Sequence, residues 1–156
     1  MHSPDQCSGI PPSSKAQNGV TLHQTDQSLT IMIVDDDARV RRALARCLEL
    51  DGHLVEVAES GAGALALVGT RSWDLICLDA QLPDIQGPQL ARQLHPNAAS
   101  AYTVLVTGFA SSFDDTGLLT ECIDAVLPKP WKMEELETVI ERVRQHAIAR
   151  AAIRAA

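Results

Sequence analysis

Short apolar runs alternate with longer amphipathic stretches along most of this chain of 156 residues. A continuous apolar run, such as residues 31–34, is typical of a strand that is buried on both faces of a parallel sheet. The next stretch, residues 38–50, has Leu44 and Leu48 on one face and arginines on the other, which indicates an amphipathic helix. The alternation predicts five strands, at residues 31–34, 54–58, 74–78, 102–106 and 124–127.

Every connection between these strands is long enough to hold a helix. The predicted helices cover residues 38–50, 60–68, a stretch that begins at Pro88, residues 113–120, and a last stretch from Met133 past Ile148. Asp37 and Ser60 precede two of them, where a side-chain oxygen can cap free backbone N–H groups. Parallel strands joined by crossover helices define an α/β fold, so we predict a five-stranded parallel sheet with five flanking helices.

The composition limits the classes of function that the chain can have. Apolar residues make up 46% of it and aromatic residues only 3%, which indicates an aliphatic core. The formal net charge of −7 disfavours nucleic-acid binding by this domain, because phosphate contacts need a basic face. No apolar stretch approaches the roughly 18 residues of a membrane-spanning helix, and the N-terminus has no secretory signal. We therefore expect no membrane contact and a cytoplasmic location.

The cysteines and histidines add no further chemistry. The four cysteines lack the spacing of a zinc site, so free, reduced thiols are predicted. The five histidines form no ligand or phosphotransfer motif, and we expect each of them to be exposed.

The two ends of the chain differ from the part between them. Residues 1–29 are rich in Ser, Gln, Asn, Pro and Gly without periodicity, which predicts a disordered N-terminal extension. Residues 147–156 are rich in alanine and predict a helical C-terminal extension. Such a helix suits either a connector or a homodimer contact, and its sequence does not choose between them.

Charged residues directly follow three of the predicted strands. Asp35, Asp36 and Asp37 follow the first strand, Asp79 the third, and Lys129 comes just after the fifth. The carboxyl ends of parallel strands converge on one edge of the sheet, where α/β proteins place their ligands. Two carboxylates ~4 Å apart repel each other by about 1 kcal/mol in water, so a cation or partial protonation is needed to stabilise the cluster. Oxygen-only ligands favour a hard ion such as Mg²⁺.

This set of side chains suits phosphoryl chemistry. A carboxylate can itself be the nucleophile and form an aspartyl phosphate, while a metal ion neutralises charge in an in-line transfer. Lys129 can pair with a phosphoryl oxygen, or with the carboxylate before the phosphate arrives. The Thr107 hydroxyl, at the end of the fourth strand, can donate to another phosphoryl oxygen.

Four motifs occur in order along the chain. They are Ile-Met-Ile-Val-Asp-Asp-Asp at residues 31–37, Asp-Leu-Ile-Cys-Leu-Asp at 74–79 with Pro83 and Gly87 after it, Val-Leu-Val-Thr-Gly at 104–108, and Leu-Pro-Lys-Pro-Trp at 127–131. Over roughly residues 30–146 the chain resembles the receiver domain of two-component response regulators, of the chemotaxis-regulator type. The resemblance implies a flavodoxin-like, doubly wound fold with strand order 2-1-3-4-5.

The resemblance also implies a role for each site residue. Asp79 would accept a phosphoryl group from a histidine kinase or a phosphotransfer protein, and the domain would then switch conformation to regulate a downstream protein. Asp36 and Asp79 would bind Mg²⁺ together with the backbone carbonyl of Gln81, and Asp35 would act through water. Thr107 and Lys129 would contact the phosphoryl group. In the family a cis peptide bond precedes the proline that is Pro130 here.

One segment departs from the family pattern. Val126 stands three residues before Lys129, where receivers usually carry Tyr or Phe. That aromatic side chain transmits the signal in the family, so the route of the output stays open here. Two other functions are compatible with the residues: a receiver-like binding module that is never phosphorylated, and a Mg²⁺-dependent phosphohydrolase. The predicted organisation of the chain is a disordered extension at residues 1–29, a receiver domain at 30–146 and a helical extension at 147–156.

Overall fold

The structure is a computed structural model that describes residues 28–108 and 121–156. Strands and helices alternate along these two stretches. Their bounds are β1 (Thr30–Val34), α1 (Ala38–Leu50), β2 (Leu54–Ala58), α2 (Gly61–Val68), β3 (Leu75–Asp79), α3 (Gly87–Ala98), β4 (Tyr102–Thr107), β5 (Ala125–Pro128) and α4 (Met133–Ala155).

The strands form one parallel sheet in the order β2-β1-β3-β4-β5. The α/β, flavodoxin-like fold and the strand order are therefore confirmed. Each observed strand lies within one residue of its predicted bounds at either end; β3, for example, begins at Leu75 and includes Asp79. Four of the five predicted helices lie in the described residues, and the one predicted at 113–120 lies outside them.

The central strands β1, β3 and β4 are buried on both faces, as their continuous apolar runs predict, whereas the edge strand β2 is partly exposed. Successive residues of a strand point to opposite faces. Met32 and Val34 accordingly join the core beneath α2 and α3, whereas Ile31 and Ile33 join the core beneath α1 and α4. The two cores fix the central strands in register, and with them the residues that follow each strand.

The first turns of α1 and α2 are capped at the predicted positions. Asp37 Oδ1 accepts a hydrogen bond from the Arg39 N–H at 2.8 Å, and Ser60 Oγ accepts one from the Gly63 N–H at 3.1 Å. Helix α1 ends at Leu50, and the chain turns away at Gly52, which has a φ of 87°, a conformation that glycine adopts without steric cost.

The predicted exposure of the histidines is wrong for His53. This side chain is only 5% exposed, and its Nδ1 accepts a hydrogen bond from the Leu29 N–H at 3.2 Å. Burial lowers the pKa of His53, and the positive charge of Arg144 lowers it further. A neutral ring is required to accept the Leu29 N–H, so His53 fastens the segment that enters β1.

The last helix continues without a break from Met133 to Ala155. In its second half this helix contacts the start of β4 and the residue two before it: the His146 ring lies edge-on to Tyr102, and Arg150 donates to the Ser100 carbonyl. Among the described residues, no helix is both long and apolar enough to cross a membrane.

The described cysteines are free thiols, as predicted. They are Cys47, Cys77 and Cys122. Burial raises the pKa of Cys77 to about 12, so this thiol stays protonated.

Candidate functional site

An open pocket of about 390 Å³ lies at the carboxyl edge of the sheet. The loops after β1, β3, β4 and β5 form its wall. Its lining residues are Asp35, Asp36, Asp37, Asp79, Ala80, Gln81, Thr107, Gly108 and Lys129. The structure therefore brings together every residue that the sequence nominated for the site.

Three carboxylates meet in this pocket. Asp35, Asp36 and Asp79 each offer one oxygen, and these oxygens all lie within 4.8 Å of one another. Asp35 is buried, Asp79 is half-buried, and Asp36 is exposed. An all-oxygen set that is open to solvent on one side suits a hard divalent cation that keeps part of its water shell. The donor atoms thus fit Mg²⁺.

Lys129 reaches the carboxylates from the end of β5. Its Nζ lies 2.7 Å from Asp35 Oδ2 and 3.3 Å from Asp79 Oδ1. Burial alone would lower the pKa of Lys129, but its hydrogen bond to Asp35 and the charges of both carboxylates outweigh that effect and raise the pKa above its usual value. The ammonium group therefore stays charged. The backbone N–H of Lys129 donates to the Thr107 carbonyl at 2.8 Å, and the peptide bond from Lys129 to Pro130 is cis, as the resemblance implies.

The pKa of Asp79 is raised above its usual value. Burial is the main cause, and the negative charge of Asp35 adds to it. Lys129 and a long hydrogen bond of 3.4 Å from the Gln81 N–H act in the opposite direction without cancelling the rise. The ionised form of Asp79 is thus less stable here than in water, and a second cation would relieve it.

Backbone contacts hold the loop after β1 in place. The Asp37 N–H donates to Asp35 Oδ1 at 2.8 Å, and Arg41 Nη1 donates to the Asp35 carbonyl at 2.8 Å. Arg41 also pairs with Glu59 at 3.0 Å, so its guanidinium joins the loops after β1 and β2. The sequence gives no signal for this contact, because Arg41 looks like any other arginine on the polar face of α1.

The loop after β3 approaches the strand closely at Gly87. A Cβ on this glycine would overlap the Asp79 carbonyl oxygen and would lie 2.9 Å from both Ala80 Cα and Leu105 Cδ1. Only glycine fits where α3 begins against the end of β3. The sequence carries a weak signal for this constraint, a glycine directly before Pro88 at the start of a helix.

The remaining nominated residues lie as follows. Thr107 ends β4 and is buried, and Gln81 lies on the exposed rim of the pocket. Asp37 lines the pocket but its carboxylate caps α1, as predicted. Val126 is half-buried and packs against the core on the α2–α3 side of the sheet.

Comparison with known proteins identifies the family. The family model for the response regulator receiver domain matches residues 31–141. Response regulator MprA of Mycobacterium sp. (strain KMS) is 35% identical over 106 residues, which are 68% of this chain and 46% of that protein. MprA of Mycobacterium tuberculosis (strain ATCC 25177 / H37Ra) is 34% identical over 109 residues, 70% of this chain and 47% of that protein. The chain thus spans about half the length of the curated relatives that it matches.

Solved structures give the same result. The CheY-like response regulator receiver domain protein of Methanospirillum hungatei matches with a TM-score of 0.72 and 28% identity, over 79% of this chain and 99% of that one. Response regulator TrrA of Thermotoga maritima, solved in complex with Mg²⁺-BeF, matches with a TM-score of 0.66 and 25% identity, over 74% of this chain and 98% of that one. The chain therefore belongs to the response regulator receiver domain family of two-component signalling.

Proposed function

We propose that this receiver domain is a phosphorylation-dependent switch in which Asp79 accepts a phosphoryl group with Mg²⁺ as cofactor. The observation that carries the proposal is the meeting of Asp35, Asp36 and Asp79 within 4.8 Å of one another, with the Lys129 ammonium beside two of them. Neither the acidic residues alone nor the lysine alone would favour this reaction over simple ion binding. Family membership makes a histidine kinase or a phosphotransfer protein the donor.

The carboxylates divide the work by their position. Asp79 ends β3 and is half-buried, so one of its oxygens can attack phosphorus while the other stays among the polar groups of the pocket. As the bond from Asp79 to phosphorus forms, the bond from phosphorus to the donor's histidine nitrogen breaks, and the imidazole leaves. Asp35 and Asp36 follow β1 and, with Asp79 and the backbone carbonyl of Gln81, would hold Mg²⁺. When bound, the ion would neutralise the negative charge on the phosphoryl oxygens during transfer.

Two further residues receive the phosphoryl group. Lys129 is already charged and lies 3.3 Å from Asp79 Oδ1, so it can move from the carboxylate pair to a phosphoryl oxygen without a change of protonation. Thr107 lines the same pocket from the end of β4, where its hydroxyl can donate to a second phosphoryl oxygen. A shift of these two side chains toward the phosphate is the first step of the switch, which then regulates a downstream protein.

The test is intact-protein mass spectrometry after incubation with acetyl phosphate and MgCl₂. Wild type should gain about 80 Da, the mass of one phosphoryl group. When EDTA is present from the start, the adduct should not form. Asp79→Asn should gain nothing. Asp74→Asn is the matched control, because Asp74 lies next to the other end of the same strand, and it should be modified like wild type.

Other results would contradict the proposal. An adduct that persists in Asp79→Asn would place the acceptor elsewhere. A wild-type protein that never gains the mass would favour the binding module, and continuous release of alcohol from a phosphate ester would favour the phosphohydrolase.

A further inference from the structure

The loop that follows Asp79 is tied to a neighbouring helix by one carboxylate. Asp84, near the tip of this loop, accepts two backbone hydrogen bonds from the first turn of α2. Its Oδ1 accepts from the Gly61 N–H and its Oδ2 from the Ala62 N–H, each at 2.9 Å. The two N–H groups are free at the start of any helix, so the carboxylate both caps α2 and fixes the loop to it.

Apolar packing at the same place holds the tip close to the helix. A Cβ on Gly61 would overlap Ile85 Cγ2, and Ile85 itself packs against the core on the α2–α3 side. The glycine therefore lets the loop approach the helix backbone closely enough for both Asp84 bonds to form. Ser60 caps α2 separately, through the Gly63 N–H.

The tip is connected to the pocket through a short, closed piece of backbone. The Ala80 N–H donates to the Val106 carbonyl at 3.2 Å, the Gly87 N–H to the Ala80 carbonyl at 2.8 Å, and the Leu82 N–H to the Ile85 carbonyl at 3.3 Å. Gln81 pairs with Gln86 across this closed loop. A displacement of the tip therefore moves the backbone at Gln81, which lines the pocket beside Asp79.

We propose that Asp84 is a positioning residue: by tying the loop tip to the first turn of α2, it holds the Gln81 backbone in the position that the metal requires. Asp84 touches neither the metal nor the phosphoryl group, and it acts through the loop. This inference rests on the proposed function, since it assigns Asp84 a part in metal binding at the same site.

A purely local role for Asp84, in stabilising α2, predicts different results. Loss of a helix cap lowers stability by about 1 kcal/mol wherever the cap comes from. Ser60→Ala removes a cap from the same turn of the same helix without touching the loop. It is the matched control, and it separates the two roles.

The experiment measures Mg²⁺ binding by calorimetry, with MgCl₂ alone as the probe, in wild type, Asp84→Ala, Asp84→Asn and Ser60→Ala. We expect Asp84→Ala to raise the Kd for Mg²⁺ by about tenfold, within the range for residues that orient metal ligands. Asp84→Asn keeps one acceptor oxygen and should fall between Asp84→Ala and wild type. Ser60→Ala should stay close to wild type in Kd although its Tm falls.

The dependence of phosphorylation on Mg²⁺ gives a second readout. At low Mg²⁺ the initial rate with acetyl phosphate should be several-fold lower in Asp84→Ala than in Ser60→Ala. At saturating Mg²⁺ the two rates should converge, because the acceptor and Lys129 are intact in both variants.

Hydrogen exchange of the backbone amides in EDTA tests, independently of the metal, whether Asp84 fixes the loop to α2. Residues 80–87 should exchange faster in Asp84→Ala than in Ser60→Ala. Equal exchange in the two variants, or equal Kd values, would overturn the positioning role. Failure of the wild type to bind Mg²⁺ or to be phosphorylated would overturn the proposed function instead, and the exchange data would still decide whether Asp84 holds the loop.

Discussion

The two edges of the sheet use aspartates in opposite ways. Beside the amino ends of the strands, Asp74 Oδ2 accepts the Thr30 N–H at 2.9 Å and Asp124 Oδ2 accepts the Thr103 N–H at 2.7 Å. Each of these carboxylates satisfies a backbone donor near the start of a strand. At the carboxyl edge three carboxylates instead crowd together, with Lys129 as the cation that pairs with two of them.

The difference lies in the balance of donors and like charges around each group. An aspartate that accepts a backbone N–H lowers the free energy of the fold. A cluster in which burial and a neighbouring charge raise the pKa of Asp79 raises that free energy, and such an arrangement is typical of a reactive site. Aspartates of one sequence thus divide into structural and chemical groups by what surrounds them.

The largest loss of stability is expected from adding a side chain at Gly87, which lies against the end of β3. Gly87→Ala would force a methyl group against the Asp79 carbonyl oxygen, and we expect it to destabilise the protein by about 3 kcal/mol or more. Gly69→Ala, just after α2, meets nothing within 4 Å, and the φ of −83° at this position is open to any residue, so its stability should match or slightly exceed that of wild type. Urea denaturation measures both, and equal losses would contradict the crowding.

Removal of the Lys129 ammonium group should cause the next largest loss of stability. Lys129→Met leaves the buried Asp35 carboxylate without its partner at 2.7 Å, so we expect a loss of about 2 kcal/mol in EDTA. Saturating Mg²⁺ should narrow the difference in stability from wild type, because the carboxylates bind the ion more tightly in the variant, where no lysine competes for them. Lys132→Met, at an exposed position just before α4, should change stability by less than about 0.5 kcal/mol in either buffer. A loss in Lys129→Met that is the same with and without Mg²⁺ would contradict the account.

The smallest effect is the most selective, because its sign differs between the two edges. The pKa of Asp79 is raised in the folded state, so its ionised form lowers stability above that pKa, and the penalty disappears as the pH falls below the ordinary value of about 3.9. In EDTA at pH 7, Asp79→Asn should therefore raise the Tm by a few degrees, and the gain should shrink toward pH 4. Lys129 keeps its closer partner, Asp35, in this variant.

The matched change at the other edge should have the opposite sign. Asp74→Asn weakens the bond to the Thr30 N–H and should lower the Tm at pH 7, by the equivalent of about 1 kcal/mol. Circular dichroism melts across the pH range measure both variants. A fall in Tm for both at pH 7 would show that Asp79 is stabilised like any strand-end aspartate.

The sequence predicts the strands and helices of this molecule well, because their positions depend on local patterns of residues. The apolar runs predicted the strands, Asp37 and Ser60 predicted two helix starts, and the order of motifs gave the strand order through the family resemblance. The pocket residues followed from the strand ends, since a parallel sheet brings those ends to one edge.

The parts that the sequence did not predict are contacts between distant segments. Asp84 stands in a turn-rich stretch where aspartate is common, but the backbone groups that it accepts from are 22 and 23 residues away in the chain. His53 was expected to be exposed, and it is buried because its Nδ1 completes the hydrogen bonding of Leu29, 24 residues earlier. Neither partner can be predicted from the spacing of polar residues, because every residue except proline has a backbone N–H group, whatever its side chain.

The most direct test locates the phosphoryl group among the aspartates themselves. Trypsin releases residues 72–92 as one peptide, which holds Asp74, Asp79 and Asp84, because the chain has no lysine or arginine between Arg71 and Arg92. Borohydride reduces an aspartyl phosphate to homoserine, which tandem mass spectrometry can assign to a position. After phosphorylation with acetyl phosphate and Mg²⁺, we expect homoserine at residue 79 alone. Homoserine at residue 74 or 84, or in the peptide that carries Asp35 and Asp36, would contradict it.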